Sequence, residues 1–181
     1  HTVTLPFTRG LAGPMDFTPV IFRFENQAMP QTRVNTTLAK QLALFVILYS
    51  PLQMAADMIE NYEDNPGPFR FICDCPVDWD RTVYPEAQIG EYVTVARKRK
   101  GGDDWYIGSA TGDNARTAHI SLSFLDPGCR YRAVIYRDGC NADWEKNPYP
   151  VEIVQQDVDS ESVLDIDQAR SGGTAIKIFK I

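Results

Sequence analysis

The segment from Leu38 to Tyr49 most constrains how this chain folds, because it has the length of a helix and becomes apolar on every side. Its first turns are mixed, but from Leu42 onward it offers no polar face, which is the pattern of a helix buried on most sides. Residues 35–37 provide side chains that cap a helix start, and Ser50-Pro51 ends it, since the residue before a proline avoids the helical region.

The elements around this helix predict a parallel sheet that the chain cannot complete. Leu52–Ala56 is typical of a short buried strand, and Val3–Leu5 and Leu11–Asp16 are further strand or loop segments. Strand, helix and strand in succession form the unit of a parallel sheet, and such a sheet needs both faces covered. Residues 1–87 hold too few elements to do this, so we expect something outside the chain to bury the helix.

From Glu91 onward the apolar residues recur with a period of two, which indicates strands. The segment Met58–Gly90 is rich in proline and acids and predicts a linker with a helical turn or two. Short strands separated by turn residues at this spacing are typical of an antiparallel β-sandwich. The predicted strands are Tyr92–Arg97, Trp105–Ala110, Ala118–Phe124, Cys129–Arg137, Val151–Val154, Ser162–Ile166 and Thr174–Ile178.

Composition excludes several classes of protein. The formal net charge is −6, which disfavours a nucleic-acid partner because phosphate backbones are bound by clusters of Lys and Arg. The one basic run, residues 97–100, reads as a solvated turn. The longest apolar stretch is far shorter than the roughly 20 residues that a bilayer needs, so no membrane span is predicted. The chain begins at His1 rather than Met, and we interpret it as a fragment or a processed product.

The four cysteines do not predict a metal site. Cys73 and Cys75 lack a second ligand pair at zinc spacing, and the histidines are His1 and His119. A disulfide between Cys129 and Cys140 and a pair of free thiols both remain open.

Two residues are candidates for a substrate pocket. Arg9 could hold a substrate hydroxyl or form a structural ion pair. Asp16, in a Gly/Pro turn, could face a pocket or bond local backbone N–H groups. Asp57 follows a predicted parallel strand, where active-site residues lie in barrels, but we favour a capping role for it.

The tryptophans and His119 are weaker candidates for a functional site than the residues above. His119 lies opposite Ile120 in an alternating strand, which predicts a solvent-facing side chain. Trp79, Trp105 and Trp144 could form a platform on which sugars stack, although packing in a core is the more ordinary role.

Several strings along the chain resemble glycoside hydrolase family 97. They begin with LPFTRGLAGPMDFTP at residues 5–19 and continue with YSPLQMAAD at residues 49–57. Further matching strings are PVDWD at residues 76–80, DWYIG at 104–108 and YRDG at 136–139. The resemblance covers nearly the whole chain, with rare strings in the expected order.

The resemblance implies an exo-acting α-glucosidase or α-galactosidase with an N-terminal β-sandwich, a (β/α)8 barrel and a C-terminal β-sandwich, located in the bacterial periplasm. Inverting members use glutamates and a bound calcium ion, and retaining members use an aspartate nucleophile. The family's acid glutamate and calcium ligands precede the LPFTR string, so no catalytic or calcium-binding residue is assigned here.

The combined expectation is an α/β portion followed by an all-β portion. Residues 1–87 would be the last strands and helices of the barrel, and residues 88–181 would be the C-terminal antiparallel sandwich. The expected partners are the rest of the barrel, the N-terminal sandwich and an oligosaccharide substrate. A non-catalytic carbohydrate-binding module and a purely structural β-sandwich are the alternatives.

Overall fold

The computed structural model describes residues 1–18, 20–26, 28–29 and 31–181, which are mostly antiparallel β-structure with helices on one side. Pro19 of the LPFTR string, Gln27 and Pro30 lie outside the described residues. The helices are α1 (Leu38–Ile47), α2 (Ile59–Glu63) and α3 (Pro66–Asp74), with 3-10 helices at Leu5–Phe7 and Arg9–Ala12. The strands are β1 (Trp79–Gln88), β2 (Tyr92–Arg99), β3 (Trp105–Thr111), β4 (Arg116–Ser121), β5 (Tyr131–Asp138), β6 (Val151–Val158), β7 (Val163–Gln168) and β8 (Gly173–Lys180).

The strands form two sheets that pack face to face. The larger sheet has the order β1-β2-β3-β8-β5-β6, and the smaller one pairs β4 with β7. Ile107, Ile176 and Ile135 form one register row across β3, β8 and β5. They share a buried cluster with Ile120 and Leu164 of the smaller sheet. Antiparallel pairing and this two-sheet core confirm the predicted β-sandwich.

The opposite face of the larger sheet is covered by α1, which corrects the expectation that the helix needs a cover from outside the chain. Every residue of α1 is buried, and its contacts are mainly with β3 and β8. Gly108 of β3 permits the close approach, since a Cβ there would lie 2.3 Å from the carbonyl oxygen of Ala43. Strand periodicity cannot show which sheet face receives a helix, and this is why the prediction failed.

Both ends of α1 are fixed by side-chain hydrogen bonds. The Thr37 hydroxyl accepts from the backbone N–H of Lys40 at 3.2 Å, as an N-cap does. At the other end, the buried Arg97 guanidinium donates from Nε to the carbonyl oxygen of Val46 at 2.7 Å. A cation at this end also interacts favourably with the helix dipole. The basic run read as a solvated turn therefore begins with a buried, structural arginine.

The predicted linker Met58–Gly90 contains more structure than expected, namely α2, α3 and β1. The sequence of β1 does not alternate regularly, and this is why it was not predicted. β1 contains Pro85 and has two register shifts against β2, one between Trp79 and Arg81 and one between Val83 and Glu86. Such bulges break the alternation of buried and exposed side chains. β1 runs to Gln88 and pairs with β2, so this sheet starts before residue 88. The division at residue 87 stays a prediction about the longer protein.

Other predicted elements are shorter or different. Leu52–Ala56 is not a strand and contributes an isolated parallel bridge at Gln53. The segments at Val3–Leu5 and Leu11–Asp16 contain 3-10 turns instead of strands. The strand predicted over Ala118–Phe124 ends at Ser121. These short segments lack neighbouring strands within the described residues, so their apolar pattern alone does not produce a ladder.

Substituting Gly108 with alanine tests the helix–sheet contact. The added Cβ would overlap the backbone of α1, so Gly108→Ala should lower the free energy of unfolding by at least about 2 kcal/mol. Gly102→Ala is the control, because a Cβ there meets only the Arg99 side chain at 3.5 Å. Urea titrations of both variants compare the effects, and equal losses would contradict close packing at Gly108.

A buried lysine anchors the first turn of α1 to the sheet. The Lys40 ammonium donates to the carbonyl oxygen of Thr111 at 2.7 Å and to the Ser171 hydroxyl at 3.2 Å. Burial lowers the pKa of Lys40 to about 8, although Asp138 and Asp113 oppose this shift. Burial in turn raises the pKa of Asp138, whose carboxylate accepts from the N–H of Ala169 and Gly173.

The lowered pKa of Lys40 predicts a pH dependence of stability. Between pH 8 and the ordinary lysine value of 10.5, the unfolded chain binds a proton that the folded chain has released. The contribution of Lys40 to stability should therefore rise with pH in this interval. The raised pKa of the Cys75 thiol acts in the opposite direction above pH 9.0, and those of Tyr106 and Tyr136 above pH 10.0, so the Lys40 contribution is read from the difference between two proteins over pH 8 to 10. Urea titrations of the unsubstituted chain and Lys40→Met should differ there in slope, and identical slopes would contradict the shift.

Candidate functional site

Two extended segments lie side by side in parallel before and after α1. The N–H of Met15 donates to the carbonyl oxygen of Tyr49 at 3.0 Å, and Phe17 forms a parallel bridge with Gln53. Parallel segments joined by a helix make a β-α-β unit. The two segments have the relative direction of the strands in such a unit, but neither is a strand, so the predicted strand–helix–strand succession is wrong apart from one bridge.

These two segments have an inner and an outer side. Met15 and Phe17 pack against the buried cluster beneath α1, and the Gln53 amide donates to the carbonyl oxygen of Phe45 at 2.7 Å. Because extended residues alternate between faces, Leu52 and Met54 lie on the outer side. Their exposed fractions are 65% and 42%. The outer side therefore presents apolar surface to solvent.

A cleft of about 480 Å³ opens beyond the C-terminal ends of the two parallel segments. Ligands bind at this end of strands in open parallel sheets and in barrels. The cleft mixes charged, amide and apolar groups from the loop before α1 and from the start of α2. Its lining consists of Ile21, Arg23, Phe24, Glu25, Asn26, Ala28, Thr32, Arg33, Val34, Ala56, Asp57, Met58 and Asn61.

Asp57 holds one wall of the cleft together. One carboxylate oxygen accepts from the N–H of Phe22 at 2.6 Å and of Arg23 at 2.8 Å. The other accepts from the N–H of Met58 at 2.8 Å and from the Asn61 amide at 2.6 Å. Burial opposes ionisation, but these hydrogen bonds outweigh it and lower the pKa of Asp57. The carboxylate is a structural acceptor beside the start of α2, but no backbone N–H of that helix donates to it, so the favoured prediction of a helix cap is wrong.

Tyr62 of α2 reinforces the same wall. Its hydroxyl donates to the carbonyl oxygen of Val20 at 2.8 Å and accepts from the N–H of Asp57 at 2.8 Å. Its ring packs edge-on against Phe22. The loop after the first parallel segment is therefore tied at successive residues to the element after the second.

The far wall is supported from the β-sandwich. The Tyr149 hydroxyl donates to the Glu25 carboxylate and accepts from the N–H of Phe24 at 3.0 Å. The Arg33 guanidinium donates to the carbonyl oxygen of Trp144 at 2.7 Å. Arg33 Nε is buried and has no partner among the described residues. The cleft can form hydrogen bonds, but its carboxylates serve the backbone and neighbouring side chains.

Arg9 and Asp16 do not line this cleft. Arg9 is exposed, and its guanidinium donates to the carbonyl oxygens of Gly13 at 3.3 Å and Pro14 at 3.1 Å. Asp16 is exposed and alternates with the inward-facing Met15 and Phe17, which places it on the outer side. Their assignment to a substrate pocket stays a prediction about the longer protein.

The residues that sequence reasoning missed lie in the loop of residues 20–34. No functional role was predicted for that segment from the sequence. The available signal was its position, because it directly follows a predicted strand of a β-α-β unit and carries Arg23, Glu25 and Arg33. Loops at that end of parallel strands are where binding residues concentrate.

The three tryptophans do not form a common platform. Trp105 lies in the core between the sheets and contacts Phe124. Trp79 packs on Tyr106 at the opposite face of the larger sheet, and Trp144 lies beside Arg33. His119 is exposed as predicted, with Nδ1 2.6 Å from the Asp165 carboxylate.

Other kinds of site receive no support from the described residues. No three His, Cys, Asp or Glu side chains among them come together as metal ligands. All four cysteines are free, including Cys129 and Cys140, and burial raises the pKa of the Cys75 thiol. In the described part of the chain, no helix has the length and apolarity to cross a membrane.

Removing the Asp57 carboxylate should weaken the fold. Asp57→Ala leaves four donors without their acceptor, so the free energy of unfolding should fall by at least about 2 kcal/mol at neutral pH. Asp16→Ala is the control, since that carboxylate is exposed. Because the pKa of Asp57 is lowered, the difference between the variants in urea titrations should shrink as pH falls below the ordinary value of 3.8. A difference independent of pH would contradict the role of the ionised carboxylate.

A family model described as "Glycosyl-hydrolase 97 C-terminal, oligomerisation" matches residues 78–179. A retaining alpha-galactosidase from Bacteroides thetaiotaomicron is 32% identical over 183 residues, covering 98% of this chain and 27% of that protein. The chain thus spans about a quarter of the length of this curated relative.

Solved structures give the same result. A glycoside hydrolase family 97 enzyme from Pseudoalteromonas sp. strain K8, solved in complexes with panose and with acarbose, is 48% identical to this chain. The match has a TM-score of 0.94 and covers 100% of this chain and 28% of that enzyme. A beta-arabinopyranosidase with 24% identity and a TM-score of 0.79 shares the fold over 97% of this chain and 27% of its own.

Proposed function

This chain belongs to glycoside hydrolase family 97, and we propose that it is the C-terminal part of an exo-acting α-glycoside hydrolase. The parent enzyme would remove terminal sugars from oligosaccharides, using catalytic carboxylates that lie outside this chain. The observation that carries the proposal is the match over the full chain to a quarter of a larger glycosidase. The matched relatives are an alpha-galactosidase and an enzyme solved with panose and acarbose, so α-galactosides and α-glucosides are both candidate substrates.

In this proposal, the parallel segments around Met15–Phe17 and Tyr49–Gln53 complete the parent's (β/α)8 barrel. A closed barrel needs a neighbouring strand on each side, and the isolated bridge between Phe17 and Gln53 is what remains of such pairing within one unit. The exposed Leu52 and Met54 would then pack against the rest of the barrel. Exposed apolar surface of this kind marks an interface.

The cleft would form part of the rim of the parent's active site. It lies at the C-terminal ends of the parallel segments, which is the catalytic face of every characterised barrel enzyme of this type. Its role would be to bind and position sugar hydroxyls, because its carboxylates are engaged in holding the loop. General acid–base catalysis would come from carboxylates elsewhere in the parent.

Two further properties of the parent follow from the family resemblance. A calcium ion, expected if the parent is inverting, does not fit the described residues of this chain, so its ligands would lie in the preceding barrel segments. A periplasmic location of the parent is proposed because the family resemblance implies it. The alternative of a carbohydrate-binding module loses its main support, because the tryptophans lie on different faces.

Activity assays separate the proposal from its alternatives. The full-length protein should hydrolyse aryl α-glucosides or aryl α-galactosides, whereas the 181-residue chain should release no aryl product, because it lacks the catalytic pair. Chromogenic assays of both proteins measure this. Turnover by the short chain, or inactivity of the full-length protein on both substrates, would overturn the proposal.

A matched pair of variants tests the barrel contact in the full-length protein. Leu52→Asp would place a charge in the proposed interface and should lower stability by about 2 kcal/mol or more. Ile89→Asp is the control, because Ile89 lies in the β1–β2 turn with a nearly equal exposed fraction, 64% against 65%. Thermal unfolding of both variants should show the larger loss for Leu52→Asp, and equal losses would argue against burial of Leu52.

A further inference from the structure

The two edges of the larger sheet are built differently. β1 contains Pro85 and two register shifts, and bulges and prolines are devices that prevent an edge strand from pairing with another chain. β6 pairs with β5 in unbroken register from Val151 opposite Asp138 to Val158 opposite Tyr131. It contains no proline, lysine or arginine. β6 is therefore an edge without these protections.

The charges on β6 are already neutralised from within the chain. Glu152 forms an ion pair with Arg137 at 2.9 Å. Asp157 pairs with Arg132 at 2.6 Å and with Arg130 at 3.1 Å. These arginines belong to β5 or directly precede it. The two carboxylates consequently do little to repel a second strand.

The free edge of β6 has the length and composition of a strand that pairs well. Its eight residues extend over about 27 Å. Val151, Ile153, Val154 and Val158 are β-branched residues that suit a sheet, and Gln155 is exposed near the centre. Among the described strands β6 pairs only with β5, so one row of its backbone N–H and C=O groups faces outward.

We propose that β6 pairs antiparallel with β6 of a second copy, so that the larger sheet continues across a two-fold axis. Antiparallel pairing of identical strands is self-complementary, as a closed dimer requires, and it satisfies the outward backbone groups. A second copy is the occupant because the family model matched by β1 to β8 is described as an oligomerisation domain. The inference rests on the proposed function, since it assigns a surface for assembly of that enzyme.

A charge placed near the two-fold axis tests this pairing in the full-length protein. Gln155→Lys would bring two ammonium groups together at the centre of the paired strands, where like charges are unfavourable. Sedimentation velocity should show at least about a tenfold rise in the dimer dissociation constant. Gln88→Lys is the control, because Gln88 is also exposed but lies on the β1 edge, which carries the proline and the bulges, and its dimer should be unaffected.

Cross-linking gives a second readout that does not depend on weakening the dimer. With the exposed Cys73 and Cys140 changed to serine, Gln155→Cys should form a disulfide-linked dimer under mild oxidation, whereas Gln88→Cys should not. A full-length protein that stays monomeric across the micromolar range would overturn the inference, as would a dimer insensitive to Gln155→Lys. Glycosidase activity measured in the same samples keeps the two proposals apart, because an active monomer contradicts the β6 pairing alone.

Discussion

The contact between α1 and the larger sheet is the interaction on which the rest of the structure depends. Every side chain of the helix is buried, and Gly108 lets its backbone approach β3 more closely than any other residue would. Arg97 then fixes the end of the helix from β2. The parallel segments rest on this helix through Met15 and Phe17. The position of the cleft at their ends thus depends on the β-sandwich, through α1, as well as on the segments themselves.

Local sequence patterns predicted the elements well where pairing and packing are regular. The alternation in β2 to β8 marked the strands, and the apolar run marked α1. These patterns failed where pairing is irregular or long in range. β1 carries Pro85 and bulges that hide its period, and its place in the sheet depends on β2. Nothing local could show that the sheet's second face covers α1, since that depends on Gly108 of a strand far along the chain.

The candidate site was less predictable than the fold because its contacts join residues that are far apart in sequence. The position of Asp57 predicted a structural role for it, but the predicted cap is wrong, since the carboxylate accepts from no backbone N–H of α2. The wall it builds with Phe22 and Arg23 joins residues on either side of α1 and depends on the parallel arrangement. Arg9 and Asp16 were candidates because they lie close to glycine or proline residues. The alternation of extended residues nevertheless places Asp16 on the outer side. No sequence motif marks the cleft residues between 20 and 34, and their position depends on the side chains that hold them.

Those supports come from both halves of the chain, which argues against a β-sandwich that is independent of the segments before it. Asp57 and Tyr62 hold one wall, while Tyr149 holds Phe24 and Glu25 on the other. Tyr149 lies two residues before β6 begins. A partner strand that orders β6 would therefore also restrict the residue that holds the cleft's far wall. Because binding geometry is sensitive to small displacements of supporting residues, the sandwich and any strand paired to it would influence the geometry of the cleft, and with it the proposed binding of a sugar.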